Sequence, residues 1–188
     1  MSISNSPHNR ASLTAILAVP VLLAVGQPVP ACAKVPTLSI SSDSDLRFGS
    51  FIVTGSGSRT VTAAGMVTDV AIIPAGQGDT GPARFTVSYD RGNENKHILN
   101  LVIEVVLSSV PRVVRGGVSA QLGQFVSDIP GGANVQPGSP IVITIPNCTT
   151  RVCSRTFALG GRLDLVSQFG GATFQIPLPI DARLRSVD

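Results

Sequence analysis

Residues 173–185 alternate between apolar and polar side chains without interruption. Because side chains alternate across a strand with a period of two, this pattern predicts one long β-strand with a single buried face. Two positions within it, Pro177 and Pro179, lack an N–H, and both missing donors would point to the same side. Proline in a strand is confined to a sheet edge, so we expect an edge strand here. The apolar positions are Phe174, Ile176, Leu178, Ile180, Ala182 and Leu184.

The chain as a whole shows about nine such segments, this one included, separated by turns rich in glycine, proline, asparagine and serine. Residues 98–107 are apolar on both faces, which predicts a central strand. Residues 118–125 also match helical spacing, but Gly123 and the flanking glycines favour a strand. Gly49 predicts a bulge within residues 46–53, residues 90–95 a hairpin-type connection, and Gly170-Gly171 a tight turn. The pattern is typical of an all-β sandwich or barrel.

The first 33 residues are predicted to be a cleavable signal peptide. An apolar run over residues 11–26 is followed by the small-residue site Ala31-Cys32-Ala33, which places the cleavage before Lys34. Two alternatives stay open. The run could be a membrane anchor, although it is short and Pro20 interrupts it. Residues 29–32 also resemble a bacterial lipobox, which would put a lipid on Cys32.

The predicted organisation is therefore a signal peptide over residues 1–33, a leader arm or short first strand over 34–45, and one sandwich domain over 46–188. Arg10 is the only Lys or Arg removed with the leader, and no acid is removed. The mature chain keeps 13 basic and 11 acidic residues, a net charge of +2. A nearly neutral domain does not indicate a polyanion-binding surface, and we expect no nucleic-acid partner.

Cys148 and Cys153 are the only cysteines of the predicted mature chain. A turn of four residues can bring their Cα atoms to the ~5.5 Å that a disulfide requires. Export favours the oxidised state, so a structural disulfide is the main prediction. A redox pair would more naturally have C-x-x-C spacing, and a metal site would need ligands beyond the one histidine, His97.

The usual components of catalysis are missing from the sequence. It contains no nucleophile elbow and no Walker-type phosphate-binding loop. Glu104 and Asp164 lie on predicted strands and could face each other, as glycosidase carboxylates do, but solvent-facing acids opposite arginines are the simpler interpretation. A loose calcium site at residues 90–95 lacks EF-hand spacing. We therefore expect no enzyme and predict no catalytic residue, cofactor or metal site.

Recognition of sugars or bases by stacking is also disfavoured. The chain has no tryptophan and one tyrosine, and its phenylalanines mostly occupy apolar positions of the pattern. Five arginines in the last 40 residues could form a stripe, but such runs are usually solvated faces. They are Arg151, Arg155, Arg162, Arg183 and Arg185.

Four short motifs in this order resemble the proteobacterial exported family called domain of unknown function 4402. They are residues 46–51 (LRFGSF), 60–65 (TVTAAG), 82–87 (PARFTV) and 159–165 (LGGRLDL). The resemblance covers nearly all of the predicted mature chain. It implies an immunoglobulin-like antiparallel β-sandwich near fimbrial and adhesin subunits, and it supplies no catalytic residues. The entry into the last strand and the cysteine pair depart from the family pattern.

Together these features lead us to expect an exported, non-enzymatic structural protein of the envelope or cell surface, with a fimbria-like subunit as one form. Its expected location is the periplasm, the outer surface or the medium, without a membrane span in the mature chain. Its partners would be itself or other envelope subunits. The alternative is a monomeric periplasmic or lipid-anchored binding module, with a hydrolase as a distant third.

Overall fold

The computed structural model describes residues 34–76, 79–93, 98–131, 134–167 and 170–188, and these contain strands and no helix. The all-β antiparallel prediction is confirmed. The predicted signal peptide and lipobox lie outside the described residues. The strands are β1 (Thr37–Ser44), β2 (Leu46–Val53), β3 (Ser56–Val61), β4 (Val67–Val70), β5 (Ile73–Pro74), β6 (Thr80–Gly81), β7 (Ala83–Asp90), β8 (Leu99–Leu107), β9 (Val113–Arg115), β10 (Val118–Ser127), β11 (Pro140–Cys148), β12 (Val152–Ser167), β13 (Gly170–Ile176) and β14 (Ile180–Val187).

The strands form three antiparallel sheets that enclose one hydrophobic core. The seven-stranded sheet runs β1-β7-β12-β10-β9, with β3 pairing β12 and β4 pairing β3. The three-stranded sheet is β11-β8-β14, and the four-stranded sheet is β13-β2-β5 with β6 also on β2. Strands of the seven-stranded sheet contact strands of both smaller sheets. Inward residues of all three sheets belong to one buried cluster, including Phe85, Phe174 and Ile103. This is a β-sandwich.

Strand β12 organises the seven-stranded sheet because it is long enough to pair with three neighbours. Its first half pairs with β7, from Val152 to Leu159, and its second half pairs with β3 on the same edge. Strand β10 pairs with the second half on the opposite edge. Strand β8 lies between β11 and β14, as the apolar residues on both of its faces predict. Segment 118–125 belongs to strand β10, so the helical alternative is wrong.

The segment around Pro177 and Pro179 differs from the prediction. Residues 173–185 do not form one strand: β13 ends at Ile176 and β14 begins at Ile180, in a different sheet. The prolines lie between the two strands, because without an N–H neither can continue a ladder. The alternation in burial nevertheless continues, with Leu178 buried between the two exposed prolines. The Pro179 carbonyl accepts a hydrogen bond of 2.9 Å from the Ser108 N–H.

Residues 34–45 were predicted to be a leader arm or a short first strand, and the strand alternative agrees with β1, which pairs with β7. Two other local predictions are corrected by the pairing. The connection at residues 90–95 is not a hairpin, since β7 and β8 belong to different sheets. Gly170 and Gly171 lie inside β13 instead of forming a turn. The bulge at Gly49 is present, where φ is 66° and the register with β13 shifts.

Candidate functional site

Cys148 and Cys153 form the disulfide that their spacing predicts, with Cα atoms 5.9 Å apart. Cys148 ends β11 in the three-stranded sheet, and Cys153 lies near the start of β12 in the seven-stranded sheet. The disulfide therefore closes a connection between two sheets, not a hairpin within one. Both cysteines are buried in the core cluster. A small loop of this kind contributes about 2 kcal/mol in the chain-entropy account.

A group of charged residues surrounds this connection. Asp90, at the end of β7, accepts hydrogen bonds from the Lys34 ammonium, from the Gly92 N–H at 2.9 Å and from the Arg151 guanidinium at 3.4 Å. The neighbouring Arg91 is buried and donates to the Cys148 carbonyl at 3.2 Å. The group thus joins the start of the described chain, the end of β7 and the disulfide loop.

The hydrogen bond from Lys34, followed by those from Gly92 and Arg151, lowers the pKa of Asp90 from 3.8 to about 2. A carboxylate with a depressed folded-state pKa stabilises the fold above its unfolded pKa, and this contribution is lost as the pH falls through the folded value.

We expect Asp90→Asn to lower the melting temperature at pH 7, because the amide cannot attract the two cations. The difference from the unsubstituted protein should shrink as the pH falls from about 4 to about 2, where Asp90 itself becomes protonated. Thermal melts followed by circular dichroism between pH 2 and pH 7 measure this. A difference that stays constant over this range would contradict the assignment.

The two carboxylates considered for hydrolysis are not brought together. Glu104 lies on β8, between the inward residues Ile103 and Val105, and therefore faces outward from the three-stranded sheet. Asp164 lies between the inward residues Leu163 and Leu165 of β12 and faces outward from the seven-stranded sheet. Outward faces of different sheets cannot present both groups to one sugar. The observed geometry gives the hydrolase hypothesis no support.

The five arginines considered as a possible stripe are spread over both the three-stranded and the seven-stranded sheet. Arg183 and Arg185 both pair with Glu104 on the three-stranded sheet, at 2.6 and 3.4 Å. On β12 and the loop before it, Arg162 pairs with Asp164, Arg151 with Asp90, and Arg155 donates to the Thr144 carbonyl. Each of these arginines binds a carboxylate or a carbonyl of the same chain, so the arrangement does not indicate an anion-binding face.

Metal binding finds no support in the described part of the chain, where no three His, Cys, Asp or Glu side chains cluster. Of the calcium candidates, Asp90 is bound to cations, and Glu94 and Asn95 lie outside the described residues. His97 is also outside them. Tyr89 and the six described phenylalanines are buried, which removes them as stacking platforms. No helix capable of spanning a bilayer occurs among the described residues.

One feature that the sequence reasoning missed is a buried arginine. The Arg59 side chain is 3% exposed and forms a two-pronged ion pair with Asp69, with N–O distances of 2.6 and 2.8 Å. It also donates to the Phe48 carbonyl at 2.7 Å and lies 5.0 Å from the centre of the Phe51 ring. The sequence does carry a signal for this pair. If residues 56–70 form a hairpin, Arg59 and Asp69 lie opposite each other, and both side chains point to the same face of the sheet as the buried Val61.

The segment around Pro177 and Pro179 borders an apolar surface groove. The groove has a volume of about 360 Å³ and lies between the loop after β8 and the crossover from β13 to β14. Its lining is almost entirely hydrocarbon, with no charged side chain. The lining residues are Val110, Pro111, Val113, Ile176, Pro177, Leu178 and Pro179.

Comparison with protein families gives one match. A family model described as Domain of unknown function (DUF4402) matches residues 38–175, which extend from β1 through nearly all of β13. Neither curated proteins nor solved structures match the chain. The matched stretch covers more than half of the sequence and includes the four motifs that carry the resemblance. The chain therefore belongs to the DUF4402 family.

Proposed function

We propose that the protein is an exported, non-enzymatic structural protein of the bacterial envelope or cell surface, acting in the periplasm, on the outer surface or outside the cell. The observation that carries this proposal is the buried Cys148–Cys153 disulfide between two sheets. Such bonds form and persist in oxidising compartments and are rare in the cytosol. The predicted signal peptide ahead of Lys34 agrees with that location.

The distribution of polar groups supports a structural role. The acids that were considered for catalysis are paired with arginines in the chain, and the described aromatic rings are buried. A β-sandwich can also bind copies of itself or other envelope subunits through an unprotected strand edge. A fimbria-like subunit is one form of this proposal.

Fractionation of cells that express the full 188-residue chain tests the location. We expect the protein in the periplasmic, surface or extracellular fraction, shortened at its N-terminus. A cytosolic marker protein serves as the control for leakage. Recovery of the full-length chain with the cytosolic marker would refute the proposal.

The apolar groove favours a second candidate function, a monomeric binding module of the periplasm or of a lipid-anchored protein. An apolar dye such as anilinonaphthalene sulfonate serves as a probe for it. If the groove binds, Val113→Asp should weaken dye binding about tenfold or more, because the carboxylate would be placed in the apolar lining. The adjacent Val114, which is exposed and outside the lining, gives the matched control Val114→Asp. Equal binding by all three proteins would remove this candidate.

A further inference from the structure

The free strand edges of the sandwich differ in how they are protected against pairing with a strand of another molecule. Natural sheets block unwanted pairing with proline, with charged side chains or by covering the edge. Strand β14 carries Arg183 and Arg185, β11 contains Pro140 and Pro146, and β13 runs into Pro177. Strand β1 contacts β14 across the end of the sandwich.

Strand β4 is short, with four residues, but it lacks proline and cationic side chains. It pairs only with β3. Its one charged residue, Asp69, is bound by Arg59 of the same chain. The apolar side chains of Met66 and Val70 are 67% and 59% exposed. An edge with exposed apolar side chains, whose one charge is paired within the chain, is a template for another strand.

The hydrogen bonds to β3 show which backbone groups of β4 are free to pair. The Thr62 N–H donates to the Met66 carbonyl at 2.9 Å, and the register places Thr60 opposite Thr68 and Ser58 opposite Val70. In an antiparallel pair, hydrogen-bonded and non-hydrogen-bonded positions alternate. Residues 66, 68 and 70 therefore direct their backbone groups towards β3. The N–H and C=O groups of Val67 and Asp69 point away from β3, towards the free edge of the sheet.

This edge is complementary to itself. A two-fold axis through Thr68, perpendicular to the sheet, would place Val67 opposite Asp69 of the second copy. Val67 and the facing Asp69 would then exchange two N–H···O=C hydrogen bonds. The two-fold axis repeats this pair, so the interface would contain four backbone hydrogen bonds. On the outer face, Met66 would meet Val70 of the second copy, and Thr68 would meet its own equivalent. On this outer face apolar residues face apolar residues, with a threonine pair at the centre. On the inner face Val67 would lie beside Asp69 of the second copy, whose charge is paired with Arg59 of its own chain.

We propose that two copies of the chain associate through β4 as an antiparallel, two-fold symmetric pair that joins their seven-stranded sheets. Such an interface is closed and gives a dimer. It is smaller than a standard protein interface, so the dimer is weak and depends on concentration. The inference extends the proposed structural role by naming a partner and an edge, but it depends on neither export nor localisation.

Sedimentation velocity of the purified protein, up to about 1 mM, measures the association. We expect a monomer–dimer equilibrium in the unsubstituted protein. Thr68→Lys and Thr68→Glu should each weaken the dimer about tenfold or more, because each places like charges opposite one another at the axis. Mixing the two variants should restore association, since lysine then faces glutamate. Thr60→Lys is the matched control, because Thr60 lies beside Thr68 on the same face but one strand inside the edge.

Amide hydrogen exchange gives a readout that requires no substitution. The amides of Val67 and Asp69 should become more protected as the concentration rises, whereas the amide of Thr68, which faces β3, should not change. A monomer at every concentration would overturn the proposal, as would an equal loss of association in Thr60→Lys or a mixture that stays monomeric. A cytosolic location, by contrast, would refute the proposed function and leave these sedimentation results unaffected.

Discussion

Replacing Asp69 with alanine is expected to lower the free energy of unfolding by about 3 kcal/mol. The Arg59 guanidinium, which is 3% exposed, would lose two of its hydrogen bonds and remain charged in the core. Leaving a buried charge without its partner typically costs about 3–5 kcal/mol. The Asp69 side chain is 22% exposed, so water can reach part of the site, and we expect the lower end of that range.

The surface pair of Arg162 and Asp164 provides the matched control. Its N–O distance of 2.8 Å resembles those of the buried pair, but its side chains are 38% and 50% exposed. Exposed pairs contribute about 0–1 kcal/mol, so Asp164→Ala should cost less than 1 kcal/mol. Urea unfolding of the two variants measures both values. Similar losses in the two variants would contradict the assignment of Arg59 as a buried, ion-paired residue.

The second large effect is expected at Gly160, where β12 changes neighbours from β7 to β3. The backbone at the end of β3 lies very close to Gly160. A Cβ added at Gly160 would be 2.3 Å from the Val61 carbonyl oxygen and 2.6 Å from the Ala63 nitrogen. These are backbone atoms and cannot rotate away. Gly160→Ala should therefore displace the start of the β3–β4 turn, at a cost of about 3 kcal/mol.

Gly123 of β10 is the control for this substitution, because a Cβ there would meet no atom within 4 Å. Gly123→Ala should change the free energy of unfolding by less than about 0.5 kcal/mol. Chemical unfolding followed by circular dichroism compares the two alanine variants. If Gly160→Ala were as stable as Gly123→Ala, the close approach of the backbone of residues 61–63 to Gly160 would be refuted.

The fold class was predictable because strand periodicity is a local property. The two apolar faces of β8 identified a central strand, and Gly49 identified the bulge in β2. Which strands pair with each other depends on segments far apart in the sequence, so the pairing was not predictable. The alternation around Pro177 and Pro179 continues through the crossover, so one apparent strand concealed a change of sheet. Gly170 and Gly171 suggested a turn, but both lie inside β13.

For the candidate sites, too, local features were predictable from the sequence and contacts between distant segments were not. The spacing of Cys148 and Cys153 predicted their bond, because four intervening residues limit the distance between them. It did not predict that the bond joins two sheets. The pair of Arg59 and Asp69 was missed because charged residues are ordinarily assigned to the surface, and only the hairpin register places them opposite each other. The separation of Glu104 from Asp164 follows from sheet membership, which the sequence pattern leaves open.

We propose that the protein is exported and that an internal disulfide stabilises it. Intact-mass spectrometry of the protein recovered from cells that express the full chain, with and without reduction, measures both properties at once. We expect a chain that begins at Lys34 and gains the mass of two hydrogens on reduction, as the bond between Cys148 and Cys153 is broken. A lipid mass on Cys32 would indicate the anchored alternative. A chain that retains residues 1–33 and has the Cys148 and Cys153 thiols free would refute both export and the disulfide.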